Sequence, residues 1–297
     1  MNKSKDIQLS IILPSFNYSQ GLELFVELIN SELSESYIHQ CEFVVSDSSD
    51  ERFHAKKIKS ICEKNLSFKY ISNQGFNASK NWNQALSAAN GKYILMVHHD
   101  EFPITEGFLK KILDELKSNS PDILLLKMIL FNKTLNTVKS HLPDFVRNFL
   151  LRLPSNFIFQ KNYIGATAAF VFKRNAKNFF DTNLSWLLDV DFYYQNILTA
   201  KSIALSKEIK VGSFVDRRGS ITSSLKNNIS MLYTKELKYL INKHDLKQNN
   251  FFIEFFFSMI WILMRVIDIS YWGFVNKFGL NKLRTNKINQ ILKKIND

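Results

Sequence analysis

The stretch "YILMVHHDEFP" (residues 93–103) joins an apolar run directly to two histidines and two acidic residues. Residues 93–97 have the composition of a buried β-strand. The four polar side chains that follow, at residues 98–101, need water or a ligand to satisfy them. The stretch therefore predicts a strand that carries polar groups to the rim of a crevice.

Alternating elements surround this strand. Apolar runs bounded by turn residues predict strands at residues 9–13, 43–46, 68–71, 93–97, 123–126 and 168–172. Helical spacing of apolar residues predicts helices at 22–33, 54–64, 78–89 and 105–117. The alternation indicates an α/β fold with a mostly parallel sheet flanked by helices. Ligands of such sheets bind beyond the carboxyl ends of the strands, where "PSFN", "SDSSDE", "SNQGFNASKN" and "HHDEFP" lie.

The charge of the chain is unevenly distributed. The net charge of the 297 residues is +12. Residues 1–200 contain 22 basic and 20 acidic residues, whereas residues 201–297 contain 17 and 7. We therefore predict a catalytic domain at 1–200 and a basic, largely helical C-terminal region at 201–297. A basic region indicates an anionic partner, which could be a nucleic acid, a membrane surface or a diphosphate.

Two helices are predicted in the C-terminal region. Residues 249–274 are almost continuously apolar, but only ten uncharged residues separate Glu254 from Arg265. A bilayer span needs roughly 20 residues, so this helix is not expected to cross a membrane. Residues 280–295 form a basic amphipathic pattern. That helix could lie in an anionic membrane interface or pack on its own protein.

The cysteines and the N-terminus indicate a cytosolic protein. Cys41 and Cys62 have no C-x-x-C spacing, and we expect both to be reduced thiols. The short apolar run near the N-terminus lacks a small-residue cleavage site, so we interpret it as the first strand rather than a signal peptide.

Four segments resemble the successive landmarks of the family 2 glycosyltransferases of the bacterial surface-polysaccharide type. They are "LSIILPSFN" (9–17), "FVVSDSSD" (43–50), "NQGFNASKNWNQALSAANGKYILMVHHDE" (73–101) and "WLLDVDFYYQ" (186–195). The resemblance covers about residues 8–195. It implies the GT-A fold, a Rossmann-like α/β fold. It also implies an enzyme that moves a sugar from a nucleoside diphosphate to an acceptor.

The resemblance also implies which residues bind the nucleotide-sugar. The base and ribose end would be lined by Pro14, Ser15, Phe16 and Asn17, and Asp47 would accept a hydrogen bond from the base. The ribose and diphosphate would lie near Gly75, Asn77, Lys80 and Asn81. The place of the family's D-x-D metal motif is taken by His98, His99 and Asp100.

A divalent cation fits this motif. A diphosphate leaving group needs its charge neutralised, and the hard oxygen ligands of Asp100 suit Mn²⁺ or Mg²⁺. His98 stands where the family has its first aspartate. Three consequences remain open: His98 could weaken metal binding, favour manganese, or only hydrogen-bond the ribose or a phosphate.

The acidic motif "SWLLDVDFYYQ" (185–195) contains the candidate catalytic base. Its apolar, aromatic setting tends to raise a carboxyl pKa and so to make the carboxylate more basic. The resemblance assigns the base to Asp189, with Asp191 as the alternative or as a supporting partner. Both aspartates could instead satisfy free amides at a helix start. Further along, Arg217 and Arg218 could clamp the diphosphate or form a solvated turn.

We expect an inverting glycosyltransferase that uses a UDP-linked donor. The acceptor would be a saccharide, carried on a lipid, in the synthesis of a surface polysaccharide such as an O-antigen or capsule. The enzyme would be cytoplasmic and peripheral on the inner face of the membrane, with no nucleic-acid partner. The alternatives are a sugar nucleotidyltransferase on a similar fold and a non-catalytic basic protein that binds membranes or nucleic acids. The oligomeric state is left open.

Overall fold

The structure is a computed structural model of the 297-residue chain. It describes residues 7–65, 67–73, 75, 77–132, 137–175, 177–215 and 228–246, together with the single residues 259, 262, 263, 266, 288, 290, 291 and 293.

The first half of the chain forms a parallel sheet. Strands β1 (Leu9–Ser15), β2 (Cys41–Asp47), β3 (Phe68–Ser72) and β4 (Tyr93–Met96) lie in the order β3-β2-β1-β4. Each neighbouring pair is parallel. The connections run through helices α1 (Ser19–Ile29), α2 (Arg52–Glu63) and α3 (Ala78–Ala88). Parallel strands require such crossovers, so the carboxyl ends of all four strands meet at one edge.

Beyond β4 the sheet becomes mixed. It continues as β8 (Phe170–Lys173), β6 (Ile123–Phe131), β9 (Ile203–Phe214) and β5 (Glu101–Pro103), and β7 (Thr137–Ser140) pairs with β6. Only the β6–β9 pair is parallel in this part of the described sheet. The predicted parallel pairing therefore holds for β3, β2, β1 and β4. Most pairs in the rest of the described sheet are antiparallel.

Four more helices pack around this sheet. They are α4 (Phe108–Asn119), α5 (Asp144–Leu150), α6 (Leu188–Thr199) and α7 (Ile229–Lys243). Alternate residues of β1 point to opposite faces: Ile11 and Leu13 contact the core under α1, α2 and α4, whereas Ile12 contacts the core under α3, α6 and α7. Burial on both faces explains why the strand sequences read as continuous apolar runs.

All six predicted strands are present, and three observed strands were not predicted. Strand β5 contains Glu101 and Pro103, which the sequence suggested as part of a polar rim; Pro103 is tolerated because β5 lies at the edge of the sheet. The short strand β7 and the long strand β9 were also missed. Since β9 belongs to the sheet, the central sheet extends past residue 200. The division into two domains at that point stays a prediction.

Most of the C-terminal region lies outside the described residues, including most of the two helices predicted at 249–274 and 280–295. Ile288 is described and is only 1% exposed, because it packs with Leu24 of α1, Phe102 of β5 and Phe131 of β6. Ile291 packs against the same cluster. This packing favours the alternative in which the last predicted helix contacts its own protein. Within the part of the chain that the structure describes, no helix is long and apolar enough to span a bilayer.

Candidate active site

A cavity of about 880 Å³ lies at the carboxyl ends of β1 and β4. Nine of the predicted site residues line it: Pro14, Ser15, Phe16, Asn77, Asn81, His98, His99, Asp100 and Asp189. The structure therefore brings the end of β1, the start of α3, the segment after β4 and the start of α6 to one place. Asn17, Asp47, Gly75, Lys80 and Asp191 do not line the cavity. Arg217 and Arg218 lie outside the described residues.

Asn17 and Asp47 hold the loops behind the cavity. Asn17 has a positive φ of 45°, its amide donates to Ser49 Oγ at 2.9 Å, and its side chain Oδ1 accepts from the amide of Glu51 at 3.1 Å. Asp47 is buried, and its two carboxylate oxygens accept from the Ser49 amide and the Tyr70 hydroxyl, each at 3.0 Å. These contacts join the loop after β1 to the loop after β2, and the end of β2 to β3, so both residues shape the cavity from outside it.

Two asparagines at the start of α3 form hydrogen bonds within the protein. Asn77 caps the helix, because its Oδ1 accepts from the Lys80 amide at 3.0 Å. Asn81 is buried, donates to the carbonyl of Ser46 at 3.0 Å and accepts from Ser46 Oγ at 2.6 Å. Lys80 is exposed, and Gly75 adopts a positive φ of 77° in the preceding turn. Asn77 thus stabilises the first turn of α3, and Asn81 holds that turn against the ends of β1 and β2.

His98, Asp100 and Glu101 form a cluster that could hold a cation. One ligand atom from each residue lies within 4.8 Å of the other two. In the described part of the chain His98 Nε2 is buried and has no hydrogen-bond partner. Burial lowers the pKa of His98 to about 4, so the imidazole is neutral at physiological pH and has a lone pair available for a metal. A nitrogen and two carboxylates suit Mn²⁺ better than Mg²⁺.

Hydrogen bonds and a ring contact hold two members of this cluster, Glu101 and His98. Glu101 is buried, and its Oε2 accepts from the His98 amide at 2.9 Å, from Thr167 Oγ1 at 3.0 Å and from the Ala168 amide at 3.0 Å. Burial raises the pKa of the Glu101 carboxyl despite these bonds. The ring of His98 lies on Trp82, with 4.3 Å between the ring centroids. These contacts fix the positions of Glu101 and His98 within the cluster.

Helix α1 approaches the same segment closely at Gly21. A Cβ atom at this position would lie 1.9 Å from the carbonyl oxygen of His99. Only glycine permits this contact, so Gly21 allows α1 to pack against the backbone of the segment after β4. The role of Gly21 was not predictable from local sequence, because the contact joins residues 78 positions apart.

Asp189 lines the same cavity as His98, Asp100 and Glu101, although it lies about 90 residues later in the chain. It is half-buried at the start of α6 and lines the cavity. Burial is the main cause that raises its pKa to about 7; the nearby carboxylates of Glu101 and Glu236 add to this shift, and the hydrogen bond from the Val190 amide opposes it. Asn162 Nδ2 lies 3.5 Å from Asp189 Oδ2. A carboxyl with this pKa is suited to remove a proton near neutral pH.

Asp191 is placed differently. It is completely buried, and its oxygens accept from Lys243 Nζ at 2.8 Å, His244 Nε2 at 2.6 Å and Gln195 Nε2 at 2.8 Å. Lys243 also bonds Asp181 Oδ2 at 2.7 Å. Asp191 thus joins α6 to the end of α7.

Several residues that line the cavity were not predicted from the sequence. Glu101 adjoins the metal motif, and its position in the run of acids was the available signal. Trp82, Asn162, Trp186 and Tyr233 also line the cavity. Trp186 and Tyr233 give the side near Asp189 an aromatic surface. No local pattern could have identified Asn162 or Tyr233, because each comes from a segment distant in sequence from the motifs.

The chain was compared with known proteins. A sequence profile of the family described as "Glycosyl transferase family 2" matches residues 10–180, which is more than half of the chain. The comparison with curated proteins gave no match.

Solved structures share the fold. TarS 1-349 of S. aureus in complex with UDP-GlcNAc has a TM-score of 0.53 at 19% identity, covering 73% of this chain and 61% of that chain. This chain therefore spans about three fifths of that TarS structure. A mannosyltransferase from Pyrobaculum calidifontis, PcManGT, in complex with GDP-Man and Mn²⁺, has a TM-score of 0.54 at 13% identity, covering 99% and 77%. The predicted GT-A fold is confirmed.

Proposed function

This chain belongs to glycosyl transferase family 2 and is a glycosyltransferase, and we propose that it transfers a sugar from a UDP-linked donor to a saccharide acceptor with inversion. One observation carries the proposal: Asp189, with its pKa of about 7, and the cluster of His98, Asp100 and Glu101 line the same cavity. A proton acceptor and a site for a diphosphate leaving group thus share one enclosed space. Similar solved structures hold UDP-GlcNAc in one case and GDP-Man in another, which supports a nucleotide-sugar donor.

We assign the nucleotide to the side formed by β1 and α3. Pro14, Ser15 and Phe16 would line the base and ribose end, with Asn77 and Asn81 near the ribose and diphosphate. Phe16 is 44% exposed, so its ring is available to stack on a base. Asp47 stays a predicted acceptor for the base, although its contacts support the loop. The roles predicted for Asn17, Gly75, Lys80, His99, Arg217 and Arg218 also stay predictions.

We propose that His98, Asp100 and Glu101 hold a divalent cation. The residues fit such an ion because His98 Nε2 is buried without a hydrogen-bond partner among the described residues, and two carboxylates lie beside it. When bound, Mn²⁺ or Mg²⁺ would neutralise charge on the departing diphosphate. The imidazole ligand favours manganese. Trp82 and the bonds of Glu101 keep the ligands in place before the donor binds.

We propose Asp189 as the general base. Its carboxylate would accept the proton of the attacking acceptor hydroxyl as that oxygen approaches the anomeric carbon. With a single base, the acceptor oxygen would displace the diphosphate directly from the opposite face of the sugar. Such a displacement inverts the configuration of the anomeric carbon. The aromatic surface of Trp186 and Tyr233 would receive the acceptor saccharide, since sugar rings pack on aromatic faces. Asp191 already accepts bonds from two basic residues, so we assign it a structural role.

We further propose a lipid-carried acceptor and peripheral contact with an anionic membrane on its cytoplasmic face, in surface polysaccharide synthesis. The charge excess of residues 201–297 supports this contact. Four described residues, Met259, Ile262, Leu263 and Val266, are 56–63% exposed at helical spacing and present one apolar face. This face is a better candidate for lipid contact than Ile288 and Ile291, which pack on the domain.

A panel of nucleotide-sugars tests the function. Purified protein is incubated with UDP- and GDP-sugars, with and without Mn²⁺, and nucleotide release and thermal stabilisation are measured. We expect manganese-dependent stabilisation by UDP and release from at least one UDP-sugar, and product NMR should show an inverted anomer. Stabilisation by GDP alone would refute the choice of donor. Salt-sensitive binding to random oligonucleotides without nucleotide-sugar binding would instead support the non-catalytic alternative.

A further inference from the structure

Glu236 on α7 holds the peptide segment that precedes Asp189. Its side chain is 3% exposed. Oε1 accepts from the amides of Ser185 at 2.8 Å and Trp186 at 3.3 Å. Oε2 accepts from the amides of Trp186 at 3.0 Å and Leu187 at 2.8 Å. One carboxylate therefore receives three consecutive backbone N–H groups.

These N–H groups lead directly into α6, which begins at Leu188. Amides at a helix start have no acceptor within the helix, and the Leu187 cap offers no side-chain hydrogen bond. A buried carboxylate at this end satisfies the amides and interacts favourably with the helix dipole. The path of the chain into α6 thus depends on a residue from another helix.

Asp189 follows this segment after one intervening residue. Among the described residues its carboxylate has few hydrogen-bond partners: the amide of Val190 at 2.9 Å and Asn162 Nδ2 at 3.5 Å. The direction of its carboxylate is therefore set mainly by the backbone at the helix start. Tyr233, one helical turn before Glu236, lines the same cavity and donates to the Phe159 carbonyl at 3.1 Å. One face of α7 thus contacts both the cavity and the segment that carries Asp189.

We propose that Glu236 is a positioning residue for catalysis, which holds the 185–187 amides so that Asp189 meets the acceptor hydroxyl. This inference rests on the proposed role of Asp189 as the base. Both oxygens of Glu236 accept bonds, so a carboxylate is required. In Glu236→Gln one oxygen becomes an NH₂ group that faces backbone N–H donors, although the side-chain volume is nearly unchanged.

The test compares four proteins: wild type, Glu236→Gln, Glu236→Asp and Leu240→Ala. Leu240 lies on the same helix, is fully buried in the core and, as an apolar side chain, cannot accept hydrogen bonds from the 185–187 amides, so its variant reports the loss of α7 packing. The measurements are kcat for nucleotide release from the best UDP-sugar of the panel, the Kd of UDP with Mn²⁺, the melting temperature and the pH–rate profile. Asp189→Asn is measured beside them.

We expect Glu236→Gln to lower kcat by about tenfold to 100-fold, because a small misplacement of a catalytic group has that cost. The Kd of UDP should stay within about twofold, since the nucleotide side is formed by other elements. The acid limb of the pH–rate profile should move to lower pH, because the Glu236 charge helps to raise the pKa of Asp189. Glu101, the other carboxylate facing Asp189 among the described residues, is unchanged. Glu236→Asp should recover part of kcat, and Leu240→Ala should lower only the melting temperature.

Two results overturn the inference. The first is that Glu236→Gln folds and keeps the kcat and the acid limb of the wild type. The second is that Leu240→Ala, with an equal loss of melting temperature, shows the same loss of kcat. If Glu236→Gln does not fold, a wild-type kcat and acid limb in Glu236→Asp refutes the positioning role. Full activity in Asp189→Asn would be a different failure, because it would remove the proposed base itself.

Discussion

Asp189 and Asp191 lie two positions apart but should respond in opposite ways to the same substitution. Asp189→Asn keeps the shape of the side chain and removes the proton acceptor. We expect kcat for nucleotide release to fall by about 10²–10⁴, with the Kd of UDP little changed. The raised pKa means that folding disfavours the charged carboxylate. The variant should therefore melt at or above the wild-type temperature at pH 8, where that carboxylate is ionised.

Asp191→Asn should instead cost stability. Removing one partner of a buried ion pair typically costs about 3–5 kcal/mol. Here Lys243 Nζ would still be paired with Asp181 Oδ2, which lies 2.7 Å away, and asparagine retains one acceptor oxygen. We therefore expect a smaller loss, about 2–3 kcal/mol. For a chain of this size the melting temperature should fall by about 4–12 °C.

Two assays decide between these outcomes. Differential scanning calorimetry or a melting curve gives stability, and nucleotide release below the melting range gives kcat. If Asp191→Asn loses kcat at an unchanged melting temperature while Asp189→Asn keeps it, the two roles are reversed. If neither variant loses kcat, the motif is only a helix start and the proposed mechanism is wrong.

Further measurements test the other parts of the site. The rate should rise with pH up to about 7, where Asp189 loses its proton, and level off above; a flat profile from pH 5 to 8 would contradict the base. Asp100→Ala should nearly abolish release with the fold intact by circular dichroism, and full activity would exclude it as a metal ligand. His98→Asp should tighten metal binding and shift the preference toward Mg²⁺, measured by titration; an unchanged profile would mean that His98 does not face the ion. Truncation after Gly279 should lower the melting temperature, because it uncovers the apolar surface that Ile288 buries, and an unchanged melting curve would show that this packing is not significant.

The parallel half of the fold was predictable because its signals are local. Residues 9–17 and 93–101 each contain an apolar strand followed at once by polar residues, and the strand direction alone brings these ends together. The predicted metal motif and the start of α3 accordingly line one cavity. The mixed part of the sheet was less predictable. Strand β9 pairs with β6, about 80 residues away, and no turn residues beside β9 indicate which strand it pairs with.

The sequence by itself determined the family, the GT-A fold and the presence of two candidate aspartates in one short motif. It could not decide which aspartate faces the cavity. Residues two apart on a helix point in directions about 200° apart, so only one of them can face a given side. Helix α7 determines which aspartate faces the cavity. Its end binds Asp191 through Lys243 and His244, and its Glu236 accepts hydrogen bonds from the 185–187 amides. Those contacts join segments about 50 residues apart, and only the tertiary structure brings them together.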